Sequence, residues 1–189
     1  PGDCDLDEVL ARSSADRYGM KFLSHKVDTL EYCRKKGISI EMGARELRYD
    51  WFNALLEERG AGFVLVAHNL RDSAETLLLN LVRGTGLEGI RGMRPASGKV
   101  LRPMLRFDRS EIEEYAALHD IPFRQDLSNN DVSFARNRIR HNILPQMEAI
   151  NPTAVRTLAE DMERFNQAAE VLDRLWEEKR EILCAPLEN

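Results

Sequence analysis

The sequence predicts an α/β fold, a parallel sheet with helices on both faces, followed by a helical arm. Three observations predict it. Apolar runs of strand length, KFLSHKV (21–27), FVLVAH (63–68) and VLRPML (100–105), alternate with stretches of helical periodicity. FVLVAH is continuously apolar, the pattern of a strand buried on both faces of a parallel sheet. From Asn151 onward the apolar spacing stays helical with no further strand. Alternation of this kind implies right-handed crossovers within one sheet. One domain is expected over residues 1–150 and an arm over 151–189.

The elements follow in order. Asp7 to Tyr18 reads as a helix, with Val9, Leu10 and Ala15 among its apolar positions. KFLSHKV alternates and is rich in β-formers, so it reads as a strand. Leu30 to Lys36 is a short helix closed by Gly37. Ser39 caps the next helix without a capping-box partner, because Met42 stands three residues on. Glu41 to Arg59 is a long helix with Leu47, Trp51, Ala54 and Leu55 as its buried stripe, ended by Gly60 and Gly62. After FVLVAH, the residues Ala74, Leu77, Leu78, Leu81 and Val82 follow i, i+3, i+4, i+7, i+8 spacing up to Gly84. GTGLEG (84–89) matches G-x-G-x-x-G literally, but it follows a helix where the dinucleotide motif needs a strand. It reads as a helix C-cap and a mobile loop. VLRPML is a strand with Pro103 at its end or on an edge. Asp108 or Ser110 starts a helix through Leu118, and Ser110 with Glu113 fits a capping box. IPFRQD (121–126) is extended, 129–133 a loop, and Phe134 to Ile143 helical. Asn151 and Pro152 open a last helix running towards Leu183, with Leu158, Met162, Phe165, Ala168, Ala169, Leu172, Leu175 and Trp176 at mostly helical spacing.

Composition sets the class. The 189 residues are 31% charged and 43% hydrophobic, with a net charge of −5, as in an ordinary globular protein. No apolar run approaches the ~20 residues needed to span a bilayer. PGDCDLDEVL at the start is acidic, unlike a signal peptide. Cys4, Cys33 and Cys184 lie far apart and form no CxxC, so a reducing cytoplasm is expected. The charge is unevenly spread. Between Arg83 and Arg109 seven cations stand against Glu88 and Asp108, and FARNRIRH (134–141) adds three arginines with no acid. That middle could face a polyanion while the acidic last stretch keeps the chain soluble.

The densest chemistry lies in AHNLRDSAET (67–76). Asn69 is a good N-cap, and Asp72 stands where a capping-box acid would be, which explains both without any function. His68 and Glu75 are explained less well. His68, Asp72 and Glu75 are spaced by four and three, so they can converge on one edge of the helix start. There they could hold a metal-bound nucleotide, orient an amine or move a proton.

Four segments in this order, ARELRY (44–49), AHNLRDSAETLLLNLVRGTGLEGIRGM (67–93), LRPML (101–105) and DLSNNDVSFARNRIRHNILP (126–145), together resemble the bacterial tRNA(Ile)-lysidine synthetases of the PP-loop ATP pyrophosphatase superfamily. The resemblance implies a Rossmann-like sheet. It implies an enzyme that uses ATP and magnesium to adenylate the wobble cytidine of an isoleucine tRNA with a CAU anticodon, after which free L-lysine displaces AMP at C2. It implies catalytic roles for His68, Asp72 and Glu75, with Asp72 a possible magnesium ligand. Arg45, Arg48 and Arg102 would bind substrate phosphate. Arg136, Asn137, Arg138 and Arg140 would bind tRNA, although arginines two apart cannot all share one helix face. A homodimer is expected if the last helix exposes its apolar residues.

Two departures qualify the resemblance. The family commonly reads HNxDDQAET, and here Arg71 replaces the first acid and Ser73 the Gln. The SGGxDS-type loop occurs nowhere in the 189 residues, and PGDCDLDEVL looks like the region after the second strand. The expectation is a fragment, or a sequence lacking an N-terminal segment, that does not hydrolyse ATP alone. The alternatives are a PP-loop tRNA cytidine thiolase, which would usually carry cysteine pairs, and a non-catalytic tRNA-binding fragment.

Overall fold

A glycine-closed pair of helices, α2 (Thr29–Lys36) and α3 (Ile40–Arg59), shows how the local chemistry sets boundaries. Asp28 accepts from Glu31 N–H to start α2, and Gly37, at φ +67, turns the chain out of it. The Ser39 hydroxyl accepts from Met42 N–H to start α3, and Gly60, at φ +61, ends it. The two helices cross where α3 has Gly43, whose added Cβ would lie 2.2 Å from Cys33 Sγ. Tyr32 Oη and Lys36 Nζ both donate to Glu46 Oε2 at 2.9 Å. The Lys36 bond, followed by that from Tyr32, holds the Glu46 carboxyl below its ordinary pKa.

The computed structural model describes residues 2–125 and 134–183, and the side chains of 5–125 and 134–180. The expected loop at 129–133 and the Cys4 and Cys184 side chains lie outside these described residues. The chain forms two compact units, 1–66 with 96–101 and 110–137, and 67–95 with 102–109 and 138–189.

The first unit holds α1 (Gly2–Arg17), α2, α3 and a small sheet. Strand β1 (Val64–Leu65) pairs in parallel with β3 (Val100–Leu101), Val64 opposite Val100. Strand β2 (Ala96–Ser97) pairs antiparallel with β3, so the order is β1-β3-β2. The sequence reading missed β2. Its signal is a two-residue Gly98-Lys99 turn, with Gly98 at φ +56 as a hairpin of this kind requires. KFLSHKV was expected as a strand and forms none. Among the described residues its backbone has no ladder partner, and alternation alone cannot supply one. VLRPML is a strand only to Leu101. Beyond it Arg102 N–H donates to Pro95 O, and Leu105 and Phe107 donate back to Arg102 and Met104 in turns. Helix α6 (Arg109–Leu118) starts directly after Asp108, the first of the two expected starts, and ends at Leu118 as expected, so the Ser110–Glu113 pair sits inside the helix and not at its cap. The short helix α7 (Ala135–Arg138) ends where this unit meets the next in sequence.

The second unit is helical: α4 (Leu70–Arg83), α5 (Leu87–Ile90), a π-helical turn (Ile139–Ile143), α8 (Leu144–Ile150) and α9 (Ala154–Leu183). GTGLEG is therefore partly helical, because Gly86 caps α5, while Gly84 closes α4 as expected. Asn151 ends α8, and its carboxamide oxygen accepts from Thr153 N–H ahead of α9. The core gathers Leu70 and Ala74 of α4, Ile139, Leu144 and Val155, with Leu78, Leu79 and Leu158 packed on it. The expected α4 stripe is buried at Ala74 and Leu77 but exposed at Leu81 and Val82. On α3 Gly43 and Leu56 are buried, whereas of the expected stripe Leu47, Trp51 and Leu55 are half-buried and Ala54 is exposed. Among the described residues no helix is long and apolar enough to cross a membrane.

Candidate functional site

The second unit presents its polar residues where α4 begins. Asn69 Oδ1 accepts from Asp72 N–H at 3.1 Å, and Asp72 Oδ2 accepts from Asn69 N–H at 2.9 Å, a full capping box. The loop after β3 adds a third link, since Leu70 N–H donates to Phe107 O at 2.9 Å. Asp72 thus has a structural task, as its spacing allowed. It also has a second contact, with Asp72 Oδ1 3.5 Å from Arg140 Nη2.

Glu75 lies one turn further on and is fully buried. Arg140 meets it as a fork, Nε to Oε1 at 2.6 Å and Nη2 to Oε2 at 2.9 Å. The Glu75 bond is the main reason that the Arg140 guanidinium holds its proton even more firmly than usual. The π-helical turn makes this possible. Ile139 and Leu144 go into the core, and the wider turn between them turns Arg140 onto the acids of α4. Of the arginines two apart in the RNRIRH segment, Arg140 is thus the inward one. Arg138 is exposed, Arg136 half-buried, and Asn137 buried, each at its place on α7.

His68 precedes the cap. Arg102 Nε donates to His68 Nδ1 at 3.3 Å, and Arg102 Nη1 donates to Arg94 O at 2.9 Å. Arg102 is buried. It was expected at a substrate phosphate, and its side chain reaches His68 Nδ1 and Arg94 O. Arg71, which stands in place of an acid, forms an ion pair with Glu148 of α8, with Nη1 3.0 Å from Oε1. Ser73, in place of a Gln, is buried, accepts from Met93 N–H at 3.1 Å and donates to Met162 Sδ at 3.5 Å. Beside it Gly92 has φ +66, and a Cβ there would meet Met162 Sδ at 2.0 Å. Ser73, Met93 and Met162 also line a cavity of about 380 Å³ with Leu70 and Leu105. Arg91, one of the seven cations of the basic middle, is buried between Glu88 and Asp173, each 2.6 Å away.

Arg45 and Arg48 belong to the first unit, both exposed on α3, with the Arg45 guanidinium 4.7 Å above the Tyr49 ring. Among the described residues no three His, Cys, Asp or Glu side chains gather into a metal-binding group. Asp72, the expected magnesium ligand, uses one oxygen in its cap and turns the other towards Arg140.

A model of the PP-loop domain matches residues 3–147. This chain belongs to the PP-loop domain family. The PP-loop chain is 39% identical over 184 residues to the tRNA(Ile)-lysidine synthase of Bacteroides thetaiotaomicron, which covers 97% of this chain and 43% of that protein. It is 38% identical over 178 residues to the tRNA(Ile)-lysidine synthase of Parabacteroides distasonis, covering 94% of this chain and 41% of that one. The chain thus spans about two-fifths of the length of these curated relatives. Among solved structures it is similar to the U34-tRNA thiolase NcsA from Methanococcus maripaludis with its [4Fe-4S] cluster, at a TM-score of 0.56 and 15% identity, over 82% of this chain and 54% of that one. That likeness concerns the fold alone.

Proposed function

We propose that this chain serves lysidine formation, the ATP-dependent ligation of lysine to C2 of the wobble cytidine of a CAU-anticodon isoleucine tRNA through an adenylated tRNA. The observation that carries the reading is the meeting of two motifs 65 residues apart, Glu75 of AHNLRDSAET and Arg140 of RNRIRH, in a chain whose relatives bear the name tRNA(Ile)-lysidine synthase. Residues 1–150 act as the PP-loop domain and 151–189 as an arm. In this reading Asp72 and His68 face the reacting groups. Asp72 offers a carboxylate oxygen to the lysine ammonium, and magnesium arrives with ATP. Arg140, about a fifth exposed, offers its guanidinium to phosphate, and Glu75 holds it in place. Arg45 and Arg48 supply further cations, and Arg136, Asn137 and Arg138 contact the RNA. Such an enzyme works in the cytoplasm, where ATP, lysine and tRNA meet.

The test is transfer of labelled lysine to the tRNA by the full-length protein. Label entering the RNA only with ATP supports the reading. No label entering the RNA when ATP, lysine and tRNA are all present sinks it.

A homodimer completes the proposal. Leu172, Leu175 and Trp176 of α9 are about half exposed along one stripe. An antiparallel second copy centred on Leu172 would set Arg174 opposite Glu170 on both sides. Light scattering should give a dimer for the native chain and a monomer for Trp176→Glu, and a native monomer would refute it.

A further inference from the structure

We infer that Arg102 is a positioning residue that fixes His68 as a neutral imidazole with its proton on Nε2, so that His68 acts as a hydrogen-bond donor and not as a proton acceptor. A guanidinium keeps its protons and its nitrogens can only donate. The Arg102 Nε contact to His68 Nδ1, at 3.3 Å, therefore needs a lone pair on Nδ1. A neutral ring that accepts at Nδ1 carries its proton at Nε2. Protonating Nδ1 would break this bond and set two cations side by side.

The donor is itself held. Arg102 follows the last residue of β3, its own N–H donates to Pro95 O at 2.8 Å, and Nη1 donates to Arg94 O at 2.9 Å. At 8% exposure the side chain has little room to turn away. The start of α4 acts in the same direction. His68 directly precedes the Asn69 cap, at the positive end of a 14-residue helix, where an added positive charge on the ring is disfavoured. The sequence left open whether His68 moves a proton. With Nδ1 occupied and Nε2 protonated, the ring has no lone pair to take one. It can polarise an oxygen in front of Nε2 and stabilise negative charge that develops there. On the lysidine reading, which this step rests on, that oxygen belongs to the phosphoryl group or the leaving AMP.

The tautomer can be read without any catalysis, so a failure here is separable from a failure of the proposed activity. Long-range ¹⁵N–¹H correlation spectra of the ¹⁵N-labelled chain should show His68 Nδ1 in the unprotonated range and Nε2 in the protonated range at neutral pH. In Arg102→Met the two nitrogens should move towards each other as the tautomers mix. A wild-type spectrum with the proton on Nδ1, or with both nitrogens protonated, overturns the inference. So does a spectrum unchanged in Arg102→Met. If that variant does not fold, the wild-type spectrum decides alone, and Arg102→Lys, which keeps a donor, should retain the wild-type pattern. In the full-length enzyme Arg102→Met should lower kcat roughly 10–100-fold with KM little changed, as expected when the support of a reacting group is removed. Arg102→Lys should recover most of it.

Discussion

Replacing Arg140 by Met is expected to destabilise the chain by about 3–5 kcal/mol. The size follows from where Glu75 sits. Its carboxylate has no exposure, and Arg140 bonds both of its oxygens. Attraction inside a buried pair is largely spent on removing the two charges from water, so the pair adds little net stability. Removing the cation alone keeps the desolvation cost of the carboxylate and loses the attraction. Urea unfolding followed by circular dichroism reads the change. The double variant Arg140→Met with Glu75→Leu should recover most of the loss, because it removes both charges and keeps apolar volume. A double variant whose destabilisation equals the sum of Arg140→Met and Glu75→Leu measured singly would show that the two residues are not coupled.

The second large effect is on rate. Glu75→Gln in the full-length enzyme should lower lysidine formation roughly 10²–10³-fold, the cost of one displaced donor to a developing charge. Gln keeps the shape of the side chain, so the fold should survive, but it has only one oxygen for the Arg140 fork. The guanidinium loses its fixed aim while Asp72 still holds it at 3.5 Å. Binding of the tRNA should stay close to wild type, since contacts to a long polyanion are spread over many phosphates. Filter binding and initial rates measured side by side separate the two. An unchanged rate would return Glu75 and Asp72 to purely structural roles, and a parallel loss of tRNA affinity would make Glu75 part of the RNA surface.

Much of this site was legible from short-range chemistry. The Asn69–Asp72 capping box, the Ser39 cap and the closing glycines Gly37, Gly60 and Gly84 each depend on residues within a few positions of one another. Spacing also put His68, Asp72 and Glu75 near one helix start. The partners were not legible. Arg102 reaches His68 across 34 positions, Arg140 reaches Glu75 across 65 and Glu148 reaches Arg71 across 77. No periodicity encodes such pairings. KFLSHKV failed for the related reason that a strand exists only with a neighbour, and alternation says nothing about whether one is there. VLRPML failed beyond Leu101 because Pro103 has no N–H for a ladder and the chain turns, Leu105 and Phe107 donating back to Arg102 and Met104. Leu81 and Val82 lie on the correct face of α4 by spacing, but the helix runs past the core before reaching them.

Arg71 and Ser73 show the other side of the same limit. As departures from the family pattern they put in doubt only a role for the first acid, not those of Asp72 or Glu75. In the fold Arg71 ties α4 to α8 through Glu148, and Ser73 ties it to Met93 and Met162. Both substitutions hold the helix that carries Asp72 and Glu75.

The measurement closest to the central claim is the mass of the wobble nucleoside after reaction. The full-length protein is incubated with ATP, lysine and a CAU-anticodon isoleucine tRNA transcript, and the digested RNA is weighed nucleoside by nucleoside. The expected product is a cytidine that gains lysine with loss of water, formed only when both ATP and lysine are present. An unmodified wobble cytidine, or one in which sulfur replaces oxygen, would contradict it.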